Sequence, residues 1–317
     1  MENCKCKTTD KEFLYVISVV SNPARFKRRY QLFNEFVERM KQNKLVKLYT
    51  TELQIGNRPF ATNATFKLRS DHNLWHKENL INYTLRRLPK EANYIAWIDA
   101  DIEFQNPRWA EETIEKLQEY NVVQPWSSCI DMGPKSEIMK IYTCFCKVYH
   151  DNNRVYYPKG FGGYEYAHPG YAFAYRRETL DGLGGVIDFA IAGSGDHHMA
   201  CALVGVVTQS CHGEIHDSYR QALLNYQNLC NRFVQKKIGY VEGIILHNFH
   251  GKKQDRQYVS RWDILLKHHF NLNTDISYDI NGIIKFNGNK PSLEMDLRNY
   301  SYSRNEDSID MGDVEKD

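Results

Sequence analysis

Two short segments of the chain concentrate residues able to bind a metal and move protons. Asp99-Ala100-Asp101 follows the apolar run Tyr94 to Ile98. Two carboxylates spaced i, i+2 just past a buried strand lie near one another where the chain turns. Such a pair suits a hard divalent cation bridging diphosphate oxygens. Most Asp-x-Asp pairs are solvated loop carboxylates, but the fully apolar strand before this one favours a functional role. His247-Asn248-Phe249-His250-Gly251 also ends an apolar run. Imidazole, a borderline ligand suited to Mn²⁺ or Zn²⁺, would complete a mixed oxygen and nitrogen shell with the aspartates. Lys252, Lys253, Arg256, Tyr258 and Arg261 follow at once, as in a metal-plus-phosphate corner. The bland alternative is two hydrogen-bonded histidines packed on a sheet, and spacing does not choose between His247 and His250 as the ligand.

A third segment, Gly193-Ser194-Gly195-Asp196-His197-His198, places a carboxylate at a helix start after a glycine-rich loop. Asp196 there is equally an N-cap and a general base for an acceptor hydroxyl, with His197 or His198 tuning it, and one residue can do both. In Trp75 to Asn82, Lys77 and Asn82 are candidates to line a nucleotide pocket, against the reading of an ordinary surface helix. Trp126 and Tyr171 are candidate platforms for a sugar or base, or simply core aromatics.

These residues need a scaffold, and the apolar patterning outlines one. Phe13 to Val20, Leu45 to Ile55, Tyr94 to Ile98 and Val122 to Trp126 read as strands. Between them, Ala24 to Gln42, Trp75 to Leu88 and Pro107 to Tyr120 read as helices. The alternation predicts βαβ units and a mainly parallel sheet, with ligands bound beyond the carboxyl ends of the strands, where Asp99 and Asp101 fall. The stretch from Ser127 to Glu165 reads as irregular. His168 to Tyr175 reads as a strand, Asp196 to about Val204 and Asp217 to Ile238 as helices, Tyr240 to Leu246 as a strand, Arg256 to Phe270 as a last helix and Ile280 to Phe286 as a last strand. One catalytic domain over residues 1–291 is expected, with a nucleotide-binding half at 13–126 and an acceptor and metal-completing half at 127–291. Residues 292–317 are expected to form a disordered acidic tail.

Composition excludes several classes. No run of the 317 residues approaches the roughly 18–20 apolar residues of a membrane helix, and the charged N-terminus has no secretory h-region, which predicts a cytoplasmic protein. In that compartment the Asn-x-Ser/Thr sequons at Asn63, Asn82 and Asn299 are chance matches. The eight cysteines, with Cys-x-Cys at Cys4/Cys6 and Cys144/Cys146 and no Cys-x-x-Cys, read as reduced thiols in preference to a zinc site. Residues 292–317 carry eight acids and three bases, which leaves 38 basic against 31 acidic residues, or +7, on residues 1–291. That excess suits anionic small molecules and does not call for nucleic acid. Gly-x-Gly-x-x-Gly, Walker, Gly-x-Ser-x-Gly and His-Glu-x-x-His motifs are all absent.

In order, FLYVISVV, HKENLIN, YIAWIDAD, HPGYAFAY, GSGDHHMA and ILHNFHG with Arg256 and Tyr258 resemble the metal-dependent nucleotide-sugar glycosyltransferases of the GT-A fold. The resemblance is to the family-2-like group and spans residues 13–270. IAWIDADIEF and LHNFHG are particularly similar to glycosyltransferase-like proteins of phages and large DNA viruses, which would place the chain in a host cytoplasm. The resemblance implies a Rossmann-like, mixed and mainly parallel sheet with helices on both faces and an acceptor-side subregion. It implies Mn²⁺ or Mg²⁺ at Asp99 and Asp101, the second carboxylate touching the metal, with His247 or His250 closing the shell. Lys77, Asn82, Lys252, Arg256 and Tyr258 would bind a donor, by family habit a UDP-sugar, and Asp196 would be the catalytic carboxylate. Trp126, His168, Tyr171 and His197 would meet the acceptor, a hydroxyl on a glycan, protein or modified nucleobase. The family's Glu-Asp dipeptide is Gly195-Asp196 here. The rival readings are a nucleotidyltransferase on the same metal site and a non-catalytic sugar- or DNA-binding module.

Overall fold

A computed structural model describes residues 12–158 and 164–309. Its first strand, β1 (Leu14–Ser21), is almost wholly buried, and the turn at Asn22-Pro23 leads to α1 (Lys27–Gln42), which buries Leu32, Phe33, Phe36 and Met40. β2 (Val46–Ile55) runs parallel to β1, and β3 (Phe66–Ser70), in what reads as a polar loop, adds a parallel edge. The exposed Lys67 and Arg69 alternate with half-buried Phe66 and Leu68, as an edge strand with one solvated face requires. Next come α2 (Lys77–Leu85), β4 (Tyr94–Ile98) parallel to β1, β5 (Ile102–Phe104), α3 (Trp109–Leu117) and β6 (Val122–Gln124).

Residues 127–165 are more regular than their sequence suggests. They contain β7 (Ser128–Met132), β8 (Ile138–Thr143), α4 (Phe145–Asn152), β9 (Tyr156–Pro158) and β10 (Tyr164–Tyr166). β7 and β8 lack the buried apolar run that marks a central strand: β7 buries Asp131 beside Cys129, and β8 exposes Ile138, Met139 and Ile141. β11 (Ala172–Arg176), α5 (Arg177–Leu183), α6 (Gly195–Leu203) and α7 (Asp217–Phe233) follow. The strand expected over 240–246 is two strands on either side of Gly243: β12 (Ile238–Tyr240) and β13 (Ile244–His247). The helix expected over 256–270 shortens to α8 (Arg261–Lys267). The chain closes with α9 (Leu272–Asp275), the hairpin β14 (Ile276–Tyr278) and β15 (Ile284–Phe286), and α10 (Pro291–Ser303).

The fold is mixed α/β. Its main sheet has the order β12-β6-β11-β4-β1-β2-β3, parallel throughout except for β11. A second sheet, β5-β13-β7-β8, stands beyond the carboxyl end of β4, so the chain passes from one sheet to the other through Asp99-Ala100-Asp101. Residues 292–303 belong to a packed helix and not to a loose tail, because Leu293, Leu297 and Tyr300 recur on one face and are buried. Residues 310–317 lie outside the described residues, as do Cys4 and Cys6. Cys144 and Cys146 are buried free thiols, pushed up by burial, the former to about 12. Among the described residues, no helix is long and apolar enough to cross a membrane.

Candidate metal centre and substrate cavity

Strand pairing brings the metal-type residues together. β13 lies between β5 and β7, antiparallel to the first and parallel to the second, with His247 opposite both Ile102 and Asp131. Asn248 N–H donates to the Asp101 carbonyl at 2.8 Å, which fixes the Asp101 turn beside the His247–His250 loop. Candidate ligand atoms of Asp101, His247 and His250 all lie within 4.8 Å of one another. Asp101 Oδ2 is 2.9 Å from His250 Nε2 and 3.7 Å from His247 Nε2.

The far sides of both rings are held by carboxylates. Asp131 Oδ1 is 2.5 Å from His247 Nδ1, and Glu306 Oε2 is 3.3 Å from His250 Nδ1. Burial works against ionisation of Glu306, but the charges of Arg29 and Arg304 outweigh it and hold the group well below the usual carboxylate range. Asp131 is likewise lowered against its burial, through His247 and Lys253. An ionised carboxylate only accepts, so each Nδ1 carries a proton, and in the neutral ring the Nε2 lone pair faces Asp101. Asp101 and Asp131 raise His247 against its burial, so a cation there would displace the Nε2 proton. Burial and the Arg256 charge lower His250, favouring its neutral form. Asp101 Oδ1 and His247 Nε2 are buried without a hydrogen-bond partner. A carboxylate and two imidazole lone pairs converging with orphaned atoms fit a divalent cation.

Asp99 is placed differently. Lys77 Nζ lies 2.6 Å from Oδ1 and 2.8 Å from Oδ2, so this carboxylate is occupied by an ammonium and stands apart from the three-residue cluster.

A cavity of about 960 Å³ opens over this corner, at the carboxyl ends of β1 and β4. Arg256, Arg261, Lys253 and Tyr258 line it near the cluster. The Arg256 guanidinium donates to His250 Nε2 at 2.9 Å and to Tyr258 Oη at 3.2 Å, while Arg261 donates to Ser194 Oγ at 2.6 Å. Both arginines keep a buried Nε without a partner. The structure does not bring Asn82 or Lys252 to this cavity. Asn82 is a core residue: it donates to the Val186 carbonyl at 2.8 Å and to Asp188 at 3.0 Å, and accepts from Val186 N–H at 2.8 Å.

On the opposite wall, Asp196 sits inside the first turn of α6, whose N-cap is Ser194, so it is not the cap residue. It accepts the His197 N–H at 2.8 Å. Burial raises its pKa, but the charges of Lys77 and His168 more than offset this and the group is lowered, hence ionised at neutral pH. Of the two histidines, His197 lines the cavity, whereas His198 is fully buried between Ser210 Oγ at 2.7 Å and Tyr219 Oη at 2.9 Å. His168 and Tyr171 line the same wall as a parallel stack, with centroids 4.1 Å apart and planes 5° apart. Trp126 is completely buried behind them, 5.6 Å from the Tyr171 ring, and supports that stack without reaching the cavity.

Sequence reasoning missed Glu78, Asp131 and Glu306. Glu78 is buried on the cavity wall and accepts from Trp75 Nε1 at 2.9 Å. Its carboxyl fills the space a Cβ at position 195 would take, since an ideal Cβ there would meet it at 2.8 Å. Gly195 therefore admits a carboxyl from α2. Asp131 shares the buried face of β7 with Cys129, between half-exposed neighbours, and the sequence carries no local signal for it.

No family model and no curated protein matches the chain. Among solved structures, it is similar to the catalytic domain of Drosophila beta1,4galactosyltransferase 7 in complex with xylobiose, at 12% identity over 89% of this chain and 97% of that one, with a TM-score of 0.39. It is also similar to the mannosyltransferase PcManGT from Pyrobaculum calidifontis in complex with GDP-Man and Mn²⁺, at 15% identity and a TM-score of 0.38, covering 62% of this chain and 53% of that one. A third likeness is to 4-diphosphocytidyl-2C-methyl-D-erythritol synthase from Anaerococcus prevotii, at 11% identity over 74% of this chain and 88% of that one, with a TM-score of 0.33. Likeness at this level does not separate glycosyl from nucleotidyl transfer, and the functional reading rests on the site.

Proposed function

We propose that this chain is a metal-dependent glycosyltransferase of the GT-A type, moving a sugar from a nucleoside-diphosphate sugar, UDP-linked by preference, to an acceptor hydroxyl. The observation that carries the reading is the Asp101–His247–His250 cluster, with both histidines buried and an orphaned oxygen and nitrogen, across one cavity from an ionised Asp196. A divalent cation held by these three residues supplies positive charge against the donor's diphosphate, and the two imidazoles favour Mn²⁺ over Mg²⁺. Arg256 and Arg261, each with an Nε free of other bonds, hold the diphosphate from the protein side. Lys77 neutralises Asp99 and Tyr258 lies at the donor edge. The His168–Tyr171 stack and His197 form the acceptor wall, where a glycan or protein hydroxyl fits the modest positive charge of the chain.

For transfer with inversion, the Asp196 carboxylate takes the proton of the acceptor hydroxyl as its oxygen bonds to the anomeric carbon. The bond from that carbon to the diphosphate oxygen breaks, and its electron pair leaves on the diphosphate, against the two arginines. For transfer with retention, Asp196 positions the sugar.

Thermal melting against UDP, GDP, CDP and ADP, each with and without Mn²⁺, tests this, with Asp101→Ala in parallel. A specific ligand at about 100 times its dissociation constant stabilises the fold by about 2.7 kcal/mol. The expected result is a Mn²⁺-dependent shift with one diphosphate, lost in the variant. A shift with none of them, or one that survives unchanged in Asp101→Ala, overturns the proposal.

A further inference from the structure

The C-terminal segment enters the metal corner from a part of the chain whose acidity suggests disorder. Glu306, only 1% exposed, accepts from Arg304 Nε at 2.6 Å and from the Arg29 guanidinium, and its Oε2 faces His250 Nδ1 at 3.3 Å. Asp307, the next residue, accepts the Lys27 and Arg28 backbone N–H groups at 2.9 and 2.8 Å and so ties the segment to the start of α1. The segment lies directly on the turn after His250. Gly251 has φ +84, and a Cβ there would meet the Asn305 carbonyl oxygen and Glu306 Cα at 2.8 Å, so neither this φ nor this contact tolerates a side chain. Tyr300 Oη donates to the Arg256 carbonyl at 2.9 Å, and Tyr300, Arg304 and Glu306 all line the cavity.

Each histidine of the cluster therefore has its own buried carboxylate at Nδ1. Asp131 serves His247 from the adjacent strand, and Glu306 serves His250 from 56 residues further along the chain. We infer that Glu306 is a positioning residue for the divalent cation: it fixes the ring orientation and tautomer of His250, so that the C-terminal segment is a working part of the metal site. The inference rests on the reading that Asp101, His247 and His250 hold a cation, and is independent of which group is transferred. A carboxylate at the distal nitrogen of a ligating histidine raises its basicity and holds its lone pair in place, and removing one typically costs about 10–100-fold in metal affinity.

The test is Mn²⁺ affinity of the full-length protein, read from free Mn²⁺ by electron paramagnetic resonance, for wild type, Glu306→Gln, Glu306→Asp and His250→Ala. Glu306→Asp keeps the negative charge that Arg29 and Arg304 need, and withdraws the oxygen from His250. Both Glu306 variants are expected to lose about tenfold or more in affinity. In the His250→Ala background, Glu306→Gln is expected to cost nothing further, which a merely structural role would not produce. Wild-type affinity in both Glu306 variants, or a full additional loss in the double variant, overturns the inference. Wild-type protein that binds no Mn²⁺ overturns the cation reading beneath it.

Discussion

Asp131 and His247 stand opposite each other on neighbouring parallel strands, with Oδ1 2.5 Å from Nδ1, and Lys253 closes the other side of the same carboxylate at 2.5 Å. The register of β7 on β13 thus aims a buried imidazole at Asp101. Asp131→Asn is expected to lower Mn²⁺ affinity by about 10–100-fold, because an amide oxygen accepts the Nδ1 proton without adding charge. Calorimetric titration with Mn²⁺ checks it, and unchanged affinity would separate Asp131 from the metal site.

Asn82 should matter for stability and not for the ligand. Its three bonds, to the Val186 backbone in both directions and to Asp188, close the contact between α2 and the loop after α5. Asn82→Ala leaves buried partners unsatisfied and is expected to cost about 2–3 kcal/mol. Denaturant melts should show that loss, while the nucleotide- and Mn²⁺-dependent shift of the folded variant stays that of wild type.

How much of this was legible follows from where each residue lies. Asp101, His247 and Asp196 each come just after an apolar run or a glycine-rich loop, so local pattern alone marked them. Asp131 and Glu306 join the site through long-range contacts, across 116 residues to His247 and 56 to His250, and no local period encodes such a contact. β7 and β8 hid because polar and apolar residues are reversed there: β7 buries Asp131, and β8 exposes Ile138, Met139 and Ile141. In the last segment the acidic composition masked a helical stripe: Leu293, Leu297 and Tyr300 are spaced for α10, while Glu306 and Asp307 are matched to arginines and a helix start. Asn82 misled in the other direction, since a polar residue on a helix near a strand end is as well suited to bridging a buried loop as to binding a nucleotide.

Glu78 gives a pH signature. Burial pushes it up to about 7, with the charges of Asp196 and Asp99 adding to this against the pull of Lys77. The folded chain then holds a proton that the unfolded chain releases at the ordinary value of 4.5. Stability from this group is complete below that value, falls as pH rises through the window from about 4.5 to 7, and is absent above it. Glu78→Gln, which mimics the protonated form, should flatten that fall. Melting temperatures of both proteins at pH 5 and pH 8 measure it, and the variant is expected to gain on wild type at the higher pH. Equal pH dependence would mean that Glu78 is ionised throughout.

The donor set also orders the metals. Mg²⁺ takes oxygen ligands in near-ideal octahedra and sheds its water reluctantly, whereas Mn²⁺ accepts imidazole nitrogen readily. Two of the three converging groups here are imidazoles, oriented by carboxylates that only accept. At equal concentration, Mn²⁺ should therefore raise the melting temperature more than Mg²⁺, and the difference should shrink in His247→Ala, where His250 is the one imidazole left in the cluster. Replacing His247 by Asp should narrow the gap, because an oxygen then stands where a nitrogen was. A larger shift with Mg²⁺ in the wild-type protein would mean that the histidines are not ligands and that the cation binds through carboxylate oxygens alone.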